Sequence, residues 1–489
     1  MSELVTIEIK GLKNSQNSSA HGPLKVLFFV NTSVVPMGLA YISAVLKRAG
    51  NQTFGINGEY EPFKKEYVLD KLKEIKPDMV FLSIMYTLVE DTYTQIAEWV
   101  KEYDKSIFVL AGGIGCTIHP DKVIANENVD AICMGEGEMP VLELVNKLSN
   151  GEDTTTINNL WIKKDGEVYK NPLGHLVEDL DQFPFPDRDI FKIPNLTDYV
   201  LISTRGCPFK CTYCFNHTYQ KMFKGKGNYV RRRSPENFVA EVKEIKEKYN
   251  PKTFFFYDDT FILDSDWIKR FCELYKQEEI NIPFSICTHP STINETVLPL
   301  LKDAGLYLIR SGLESGDEQM RMNVLKRHIS DESMLNFFKI VKKHGIKLKT
   351  YNMIGLPGDT KETIYKTILF NIKVRPDVPH FTYFQPFPNT EIYDHCKEKG
   401  LLKDKDMADV SGYHSGPSIE TGHLNKRQIK KLYQMANFFN TMNIKFPVLF
   451  RNKSEKLIRI YLDFFYYVVL QFQMLPELYK GLVGARQRV

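Results

Sequence analysis

Three cysteines in the stretch STRGCPFKCTYCFNH, Cys207, Cys211 and Cys214, follow the spacing C-x3-C-x2-C, with the aromatic Tyr213 just before the last. Three thiolates on one tight loop cannot close a tetrahedral zinc site without a distant fourth ligand. They can hold three irons of a 4Fe–4S cube and leave the fourth iron open to an exogenous ligand, unlike a four-cysteine electron-transfer cluster. The bland alternatives are a zinc knuckle completed by His217, or three incidental buried thiols. Position favours the cube, because the loop leaves a predicted strand in a β/α series, where a barrel carries its chemistry. The other cysteines, Cys116, Cys133, Cys272, Cys287 and Cys396, are dispersed and read as small core residues.

The elements around this loop divide the chain. Residues 1–23 read as a flexible leader. From 24 to 150, apolar runs without period-two alternation (Leu24–Asn31, Met79–Met85, Ile107–Gly113) alternate with helical stretches. Such strands are buried on both faces of a parallel sheet, so this is a doubly wound α/β domain that binds its ligand at the strand carboxyl ends. Residues 151–198 read as a linker with a hairpin turning at Asp165-Gly166. A second series covers 199–400, with strands at Tyr199–Thr204, Thr253–Tyr257, Phe284–Thr288, Tyr307–Gly312, Leu348–Ile354 and His380–Phe384. Six β/α units make a partial, TIM-like (β/α)6 barrel with its chemistry at the strand ends. Residues 401–489 read as a mostly helical tail.

The 489 residues contain 43% hydrophobic and 25% charged side chains, as expected of several folded domains. Lys plus Arg number 64 against 60 Asp plus Glu, so the balance gives no reason to expect a nucleic-acid partner. The N-terminus lacks a signal-peptide pattern, and no uncharged apolar run reaches the ~18 residues of a membrane span. With clustered rather than paired cysteines, the expected location is the cytoplasm.

With the cysteine loop and the strand series in place, the sequence resembles the radical S-adenosylmethionine superfamily. Its signature is C-x3-C-x-aromatic-C after the first strand of a partial barrel. The resemblance implies that Cys207, Cys211 and Cys214 ligate the cluster and that the open iron binds the amino and carboxylate groups of S-adenosylmethionine. An electron then cleaves the sulfonium to a 5′-deoxyadenosyl radical. It further implies that the backbone near Tyr213 approaches adenine and that Asp258 and Asp259, ending strand two, recognise the methionine amino group. Glu314 stands for the ribose- and carboxylate-contacting acid, with Ser315 beside it. Gly355, in IGLPG, lets main chain approach adenine. Pro386, in QPFPN, matches a Pro-Phe-Pro-Gly-Thr ending in which Asn389 replaces the usual Gly.

A doubly wound domain directly before such a barrel resembles the cobalamin-binding class of that superfamily. Three loops carry this resemblance: Val35, Pro36 and Gly38 opening the first helix; Gly112 and Gly113 after strand four; Gly135 and Glu136 after strand five. The Asp-x-His-x-x-Gly motif that supplies a histidine lower axial ligand is absent, so cobalamin is expected without one, and His119 reads as a helix-entry residue. The class implies methylation of an unactivated carbon. Rival readings are an oxidative cyclase like the anaerobic magnesium-protoporphyrin ester cyclases and, from another class, a non-catalytic iron–sulfur or regulatory protein.

Two further segments bear on partners. Lys221–Arg233 carries six cations and no acid; it reads either as a lid over an anionic substrate or as a solvated loop. Residues 443–489 carry eight Lys/Arg and three Asp/Glu around the aromatic stretch LIRIYLDFFYYVVLQFQML. That stretch either packs on the barrel or lies at a membrane surface as a peripheral contact. A small-molecule or lipid-like substrate and an electron donor such as ferredoxin or flavodoxin complete the expected partners.

Overall fold

The computed structural model describes residues 22–84, 90–402, 416–450 and 453–472. Two compact units emerge. One runs to Leu196 and takes in Phe223–Arg233, and the other holds Thr197–Met222 and the chain from Ser234 onward.

The first unit is built on a seven-stranded sheet of β1 (Lys25–Val30), β2 (Gln52–Asn57), β3 (Met79–Ser83), β4 (Phe108–Gly112), β5 (Ala131–Cys133), β6 (Leu160–Lys164) and β7 (Glu167–Lys170). The spatial order is β2-β1-β3-β4-β5-β6-β7. The first five are parallel, and the last two join antiparallel. Successive residues of β1, Val26, Leu27, Phe28 and Phe29, are all fully buried, as the unpatterned apolar runs require when helices cover both faces. The segment read as a linker is corrected here. Its hairpin does turn at Asp165-Gly166, but β6 pairs with β5 and extends the sheet, so residues 151–196 belong to the first unit. An antiparallel edge on a parallel sheet is common in mixed folds. The sequence did not show where the hairpin would dock.

The basic segment is corrected too. Phe223–Arg233 returns to the first unit. Arg231 is buried, its guanidinium forks onto the Glu136 carboxylate, and Nη1 donates to the Val177 carbonyl at 2.8 Å. Arg233 is buried as well, 5.4 Å over the Phe185 ring. Arg231 and Arg233 are internal fasteners, whereas Lys221 and Lys224 are exposed, as a solvated loop would have them.

The second unit carries six parallel strands in chain order: β8 (Asp198–Leu201), β9 (Thr253–Phe256), β10 (Phe284–Cys287), β11 (Leu306–Glu314), β12 (Lys347–Ile354) and β13 (Val378–Tyr383). Each predicted strand is present within a few residues. The helix Pro235–Tyr249 starts at the Ser-Pro-Glu signal, with the Ser234 hydroxyl accepting from the Asn237 amide at 3.1 Å. Helices Lys426–Lys445 and Glu455–Phe472 of the tail pack on the end of the series. Ile429, Leu432, Ile458, Leu462 and Tyr466 join one core with Ile364, Phe381 and Tyr383. The tail therefore packs on the barrel with one face, while Ile460, Phe464 and Tyr467 on its other face stay exposed. Residues 473–489 lie outside the described ones. Among the described residues, no helix is long and apolar enough to cross a membrane.

Two close constraints shape the strand ends. After β11 the chain passes so near the helix Lys361–Val374 that a Cβ on Gly316 would press on the Lys366 carbonyl and come within 2.5 Å of the Thr367 Cα. Because both obstacles are backbone, Gly316→Ala must displace the helix, and it should cost about 1–3 kcal/mol in urea unfolding. After β12, the Asp359 carboxylate gathers the Gly355 amide (3.0 Å), the Leu356 amide (2.9 Å) and the Thr363 hydroxyl (2.7 Å), shaping the IGLPG turn. Burial outweighs these donors and pushes its pKa up from 3.8 to about 6. The native state thus holds this proton more tightly than the unfolded chain, and stability should fall as pH rises from about 4 through 6. Urea titrations at pH 5 and 7.5 should show this decline in the wild type and a smaller one in Asp359→Asn.

Candidate active site

The cysteine loop is fixed before any cofactor is considered. It follows β8, and its backbone is anchored at several points. Gln220, on the helix Phe215–Met222, donates to the Cys207 carbonyl at 2.5 Å and the Phe209 carbonyl at 3.2 Å. The Thr212 amide and hydroxyl reach the Leu325 carbonyl (3.0 Å) and the Val324 carbonyl (2.7 Å). Phe209 stacks on His289 at 3.7 Å between ring centres.

All three thiols are free and lie near one another, since the Cys211 sulfur is felt at both Cys207 and Cys214. Burial pushes the Cys207 thiol up, and the Cys214 thiol to about 12. Each sulfur also meets a polar neighbour: Thr260 Oγ1 3.7 Å from Cys207, Arg327 Nη1 3.9 Å from Cys211, and Asn216 Nδ2 3.8 Å from Cys214. Among the described residues, no three or more His, Cys, Asp or Glu side chains close on a common point as a single ion would need. A cube asks for less, because each thiolate takes a different iron. His217, the candidate fourth zinc ligand, has its Nδ1 3.8 Å from the Glu391 carboxylate. The donor set therefore fits a three-cysteine cube better than a zinc knuckle.

Tyr213, Glu314 and Arg327 form a buried network beside the loop. The Tyr213 hydroxyl donates to the Glu314 carboxylate, and Arg327 places Nη1 3.4 Å from the Tyr213 oxygen and Nη2 2.8 Å from the Gly312 carbonyl. Burial raises the Glu314 pKa against the opposing pull of Arg327. Burial alone would depress Arg327, but Tyr213 and Glu314 outweigh it and hold its pKa above the ordinary value. Glu314 sits at φ +63°, and its carboxylate occupies the place that a Cβ on Gly312 would need. The glycine in RSGLESG thus makes room for an acid two residues later. Arg327 was not singled out in the sequence, because nothing in KRHIS marks it. His289 was missed for the same reason. Its Nδ1 accepts from the Ser291 amide at 3.2 Å, so Nε2 carries the proton, and among the described residues that buried N–H has no partner.

The other expected site residues divide. Asp259 is open to solvent and faces the thiols, with burial on its protein side raising its pKa and Asn216 opposing. Asp258 is instead fully buried, its Oδ1 accepting from the Ser203 amide (2.9 Å), the Ser203 hydroxyl (3.0 Å) and the Thr204 amide. Through Oδ1 it ties β8 to β9 and positions the loop, while among the described residues its buried Oδ2 has no hydrogen-bond partner. Ser315 is likewise buried, its hydroxyl accepting from the Asp317 amide and its carbonyl from Arg321. Gly355 has φ +89° and faces Ile429 of the tail, where a Cβ would lie 3.0 Å from Cγ2. Pro386 is half-buried, next to Gln385, whose buried Nε2 has no partner among the described residues. Asn389 holds φ +63°, a conformation asparagine tolerates, which is why it can stand for glycine. Orphaned buried donors on His289 and Gln385 suit a site that takes a polar ligand.

In the first unit, the expected cobalamin loops lie at the carboxyl ends of β1, β4 and β5. Val35 is buried, Pro36 half-buried and Gly38 exposed with open space around it. The glycines have internal reasons to be small. A Cβ on Gly112 would strike Phe81 at 2.6 Å, one on Gly113 the Ile84 carbonyl at 2.7 Å, and one on Gly135 the Phe223 ring at 2.6 Å. The Glu136 carboxylate accepts the fork of the Arg231 guanidinium. His119 stands between two short helices, Ile114–Ile118 and Pro120–Ile124, as an entry residue. An open rim at Gly38 and Gly113 leaves backbone accessible to a broad ligand.

Comparison with known proteins agrees with both halves. Residues 201–370 match the model of the radical SAM superfamily, and residues 25–145 match that of the B12 binding domain. An uncharacterised methyltransferase of Pyrococcus horikoshii is 27% identical over 414 residues, covering 83% of this chain and 88% of that protein. The anaerobic magnesium-protoporphyrin IX monomethyl ester cyclase of Rubrivivax gelatinosus is 25% identical, covering 74% of this chain and 66% of its own. Among solved structures, the radical S-adenosylmethionine methyltransferase TsrM of Kitasatospora setae superposes with a TM-score of 0.66 at 16% identity, covering 77% of this chain and 75% of that one. The cobalamin-dependent radical enzyme OxsB superposes at 0.69 and 14% identity, covering 91% and 72%. These structural likenesses show the shared fold. The cofactors are accordingly a 4Fe–4S cluster, S-adenosylmethionine and cobalamin. The chain belongs to the radical S-adenosylmethionine enzymes that carry an N-terminal cobalamin-binding domain.

Proposed function

We propose that this enzyme methylates an unactivated carbon of a small organic substrate. The observation that carries the reading is one chain holding both a B12 binding domain at 25–145 and a radical SAM domain at 201–370, with methyltransferases among its relatives. When bound, the cluster supplies the electron that cleaves S-adenosylmethionine, and cobalamin supplies a transferable methyl group.

The residues of the chain bind and orient. Cys207, Cys211 and Cys214 hold the cluster. Asp259, at the solvent-open end of β9, and Glu314 offer carboxylates to the amino and ribose groups of the nucleotide. The Gly355 turn, shaped by Asp359, and the backbone at Tyr213 offer main chain to the adenine. Arg327 fixes Glu314 and Tyr213 in place and keeps a positive charge beside the Cys211 sulfur. Because hydrogen abstraction needs no general base, orientation and exclusion of water are what the barrel contributes. Val35, Pro36, Gly38, Gly113 and Gly135 line the strand ends that would hold cobalamin.

A second reading, an oxidative cyclisation, draws support from the cyclase relatives. We read the electron donor as a ferredoxin or flavodoxin and the location as cytoplasmic, where the thiols stay reduced. The exposed stripe of Ile460 (54%), Phe464 (67%) and Tyr467 (62%) supports peripheral membrane contact through the tail.

Anaerobic reconstitution with iron, sulfide and cobalamin, followed by reductant and S-adenosylmethionine, tests the reading. Methyl transfer predicts both S-adenosylhomocysteine and 5′-deoxyadenosine, whereas a cyclase predicts the second without the first. Replacing any one of Cys207, Cys211 or Cys214 with Ala should abolish both products and lower bound iron. Gly312→Ala should keep the iron but displace Glu314, weakening S-adenosylmethionine binding about tenfold or more, as measured by equilibrium dialysis.

A further inference from the structure

The inner face of the second sheet holds charges that the cofactor site does not use. Along β12, Leu348, Thr350 and Asn352 are buried, and Lys349 and Tyr351 alternate with them as half-buried residues. On β11, Arg310 has the same parity as Gly312 and Glu314 and therefore shares their face. Arg310 and Lys349 are direct register partners on neighbouring parallel strands, so two cationic side chains leave the sheet side by side.

Neither is neutralised. Arg310 lies 4.2 Å over the Phe255 ring, its Nη2 is 3.5 Å from the Ser285 hydroxyl, it hydrogen-bonds the uncharged Tyr351 phenol, and among the described residues its buried Nε has no partner. Lys349 has its ammonium 5.4 Å from the centre of the Tyr351 ring. Among the described residues neither cation has a carboxylate within ion-pair reach. The acids on the adjoining strand end are engaged otherwise: Asp258 with Ser203 and Thr204, Asp259 with Asn216. Burial, then the charge of Arg310, holds the Lys349 pKa below its ordinary value, as expected for crowded cations lacking a counter-ion. Taking part of a charge out of water costs desolvation that a counter-ion or hydrogen bonds usually offset. Ring faces compensate only in part.

We propose that Arg310 and Lys349 form an oxyanion anchor inside the barrel, so that the substrate carries a carboxylate, phosphate or phosphonate group. A planar guanidinium beside a mobile ammonium is a donor set suited to such a group. Tyr257, exposed at the end of β9, and Tyr351 provide aromatic surface for the part of the substrate next to the anion. The inference deepens the methyl-transfer reading and rests on it, because it names the class of molecule held in that barrel. It also narrows the lipid-like option to molecules with an anionic head, since a neutral isoprenoid would leave both cations unpaired.

Calorimetric titration of the reconstituted enzyme, saturated with S-adenosylmethionine, tests the anchor, with benzoate and inorganic phosphate as separate probes. At least one probe should bind the wild type at one site per chain, and Arg310→Met or Lys349→Met should weaken it about tenfold or more. Arg310→Lys, which keeps the charge but loses the fork, should fall between. Thermal unfolding and iron content check that each variant is folded, and Lys349→Met serves if Arg310→Met is not. Undiminished binding in the folded variants, or no binding of either probe to the wild type, overturns the anchor. Failure of the enzyme reading looks different: the wild type would lack iron or release no 5′-deoxyadenosine while still binding the anion.

Discussion

Three cysteines on one turn satisfy three metal corners and no more, and the second unit is arranged around that limit. A loop carrying three soft donors must be held still, or its thiols oxidise or take other partners. Gln220, Thr212 and the Phe209–His289 stack do this from three directions, each using an element that the barrel series sets at the same end. Asp258 ties the exit of β8 to the end of β9, so the loop begins from a fixed point.

The charge beside the loop follows from the same arrangement. Arg327 is a buried cation, and such a group survives only with partners. It finds them in the Gly312 carbonyl, the Tyr213 hydroxyl and the Glu314 carboxylate, which joins the cysteine loop to β11 through one side chain. The left-handed φ of Glu314 and the missing side chain of Gly312 are the local concessions that let this network close. Deeper in the barrel the rule is broken, since Arg310 and Lys349 stand next to each other with aromatic rings as their main company. One sheet thus carries a cation held by a carboxylate, a phenol and a carbonyl at its end, and two cations without a carboxylate partner within.

Much of this was legible in the chain itself. Unpatterned apolar runs marked the doubly wound sheet, the six barrel strands fell where their β-branched and aromatic runs lie, and the cysteine spacing defined the metal chemistry. What stayed hidden was pairing at long range. The 158–172 hairpin has clear turn chemistry, yet nothing in it states that it will extend the first sheet. The Lys221–Arg233 run looks like a solvated or substrate-facing segment until Glu136 and Phe185 are seen against it. Asp258 and Asp259 are neighbours of one type, and only the β8 backbone decides that one is structural and the other open. Arg327 and His289 sit in stretches without a motif, so their roles come from packing alone.

The central claim, a cube held at three corners with one iron left for the nucleotide, is tested most directly by Mössbauer spectroscopy on anaerobically reconstituted, iron-57-labelled protein with and without S-adenosylmethionine. A 4Fe–4S spectrum is expected in which one iron of four changes its parameters when the nucleotide is added. Four irons that ignore the nucleotide, or a protein that takes up zinc and builds no cluster, would contradict it.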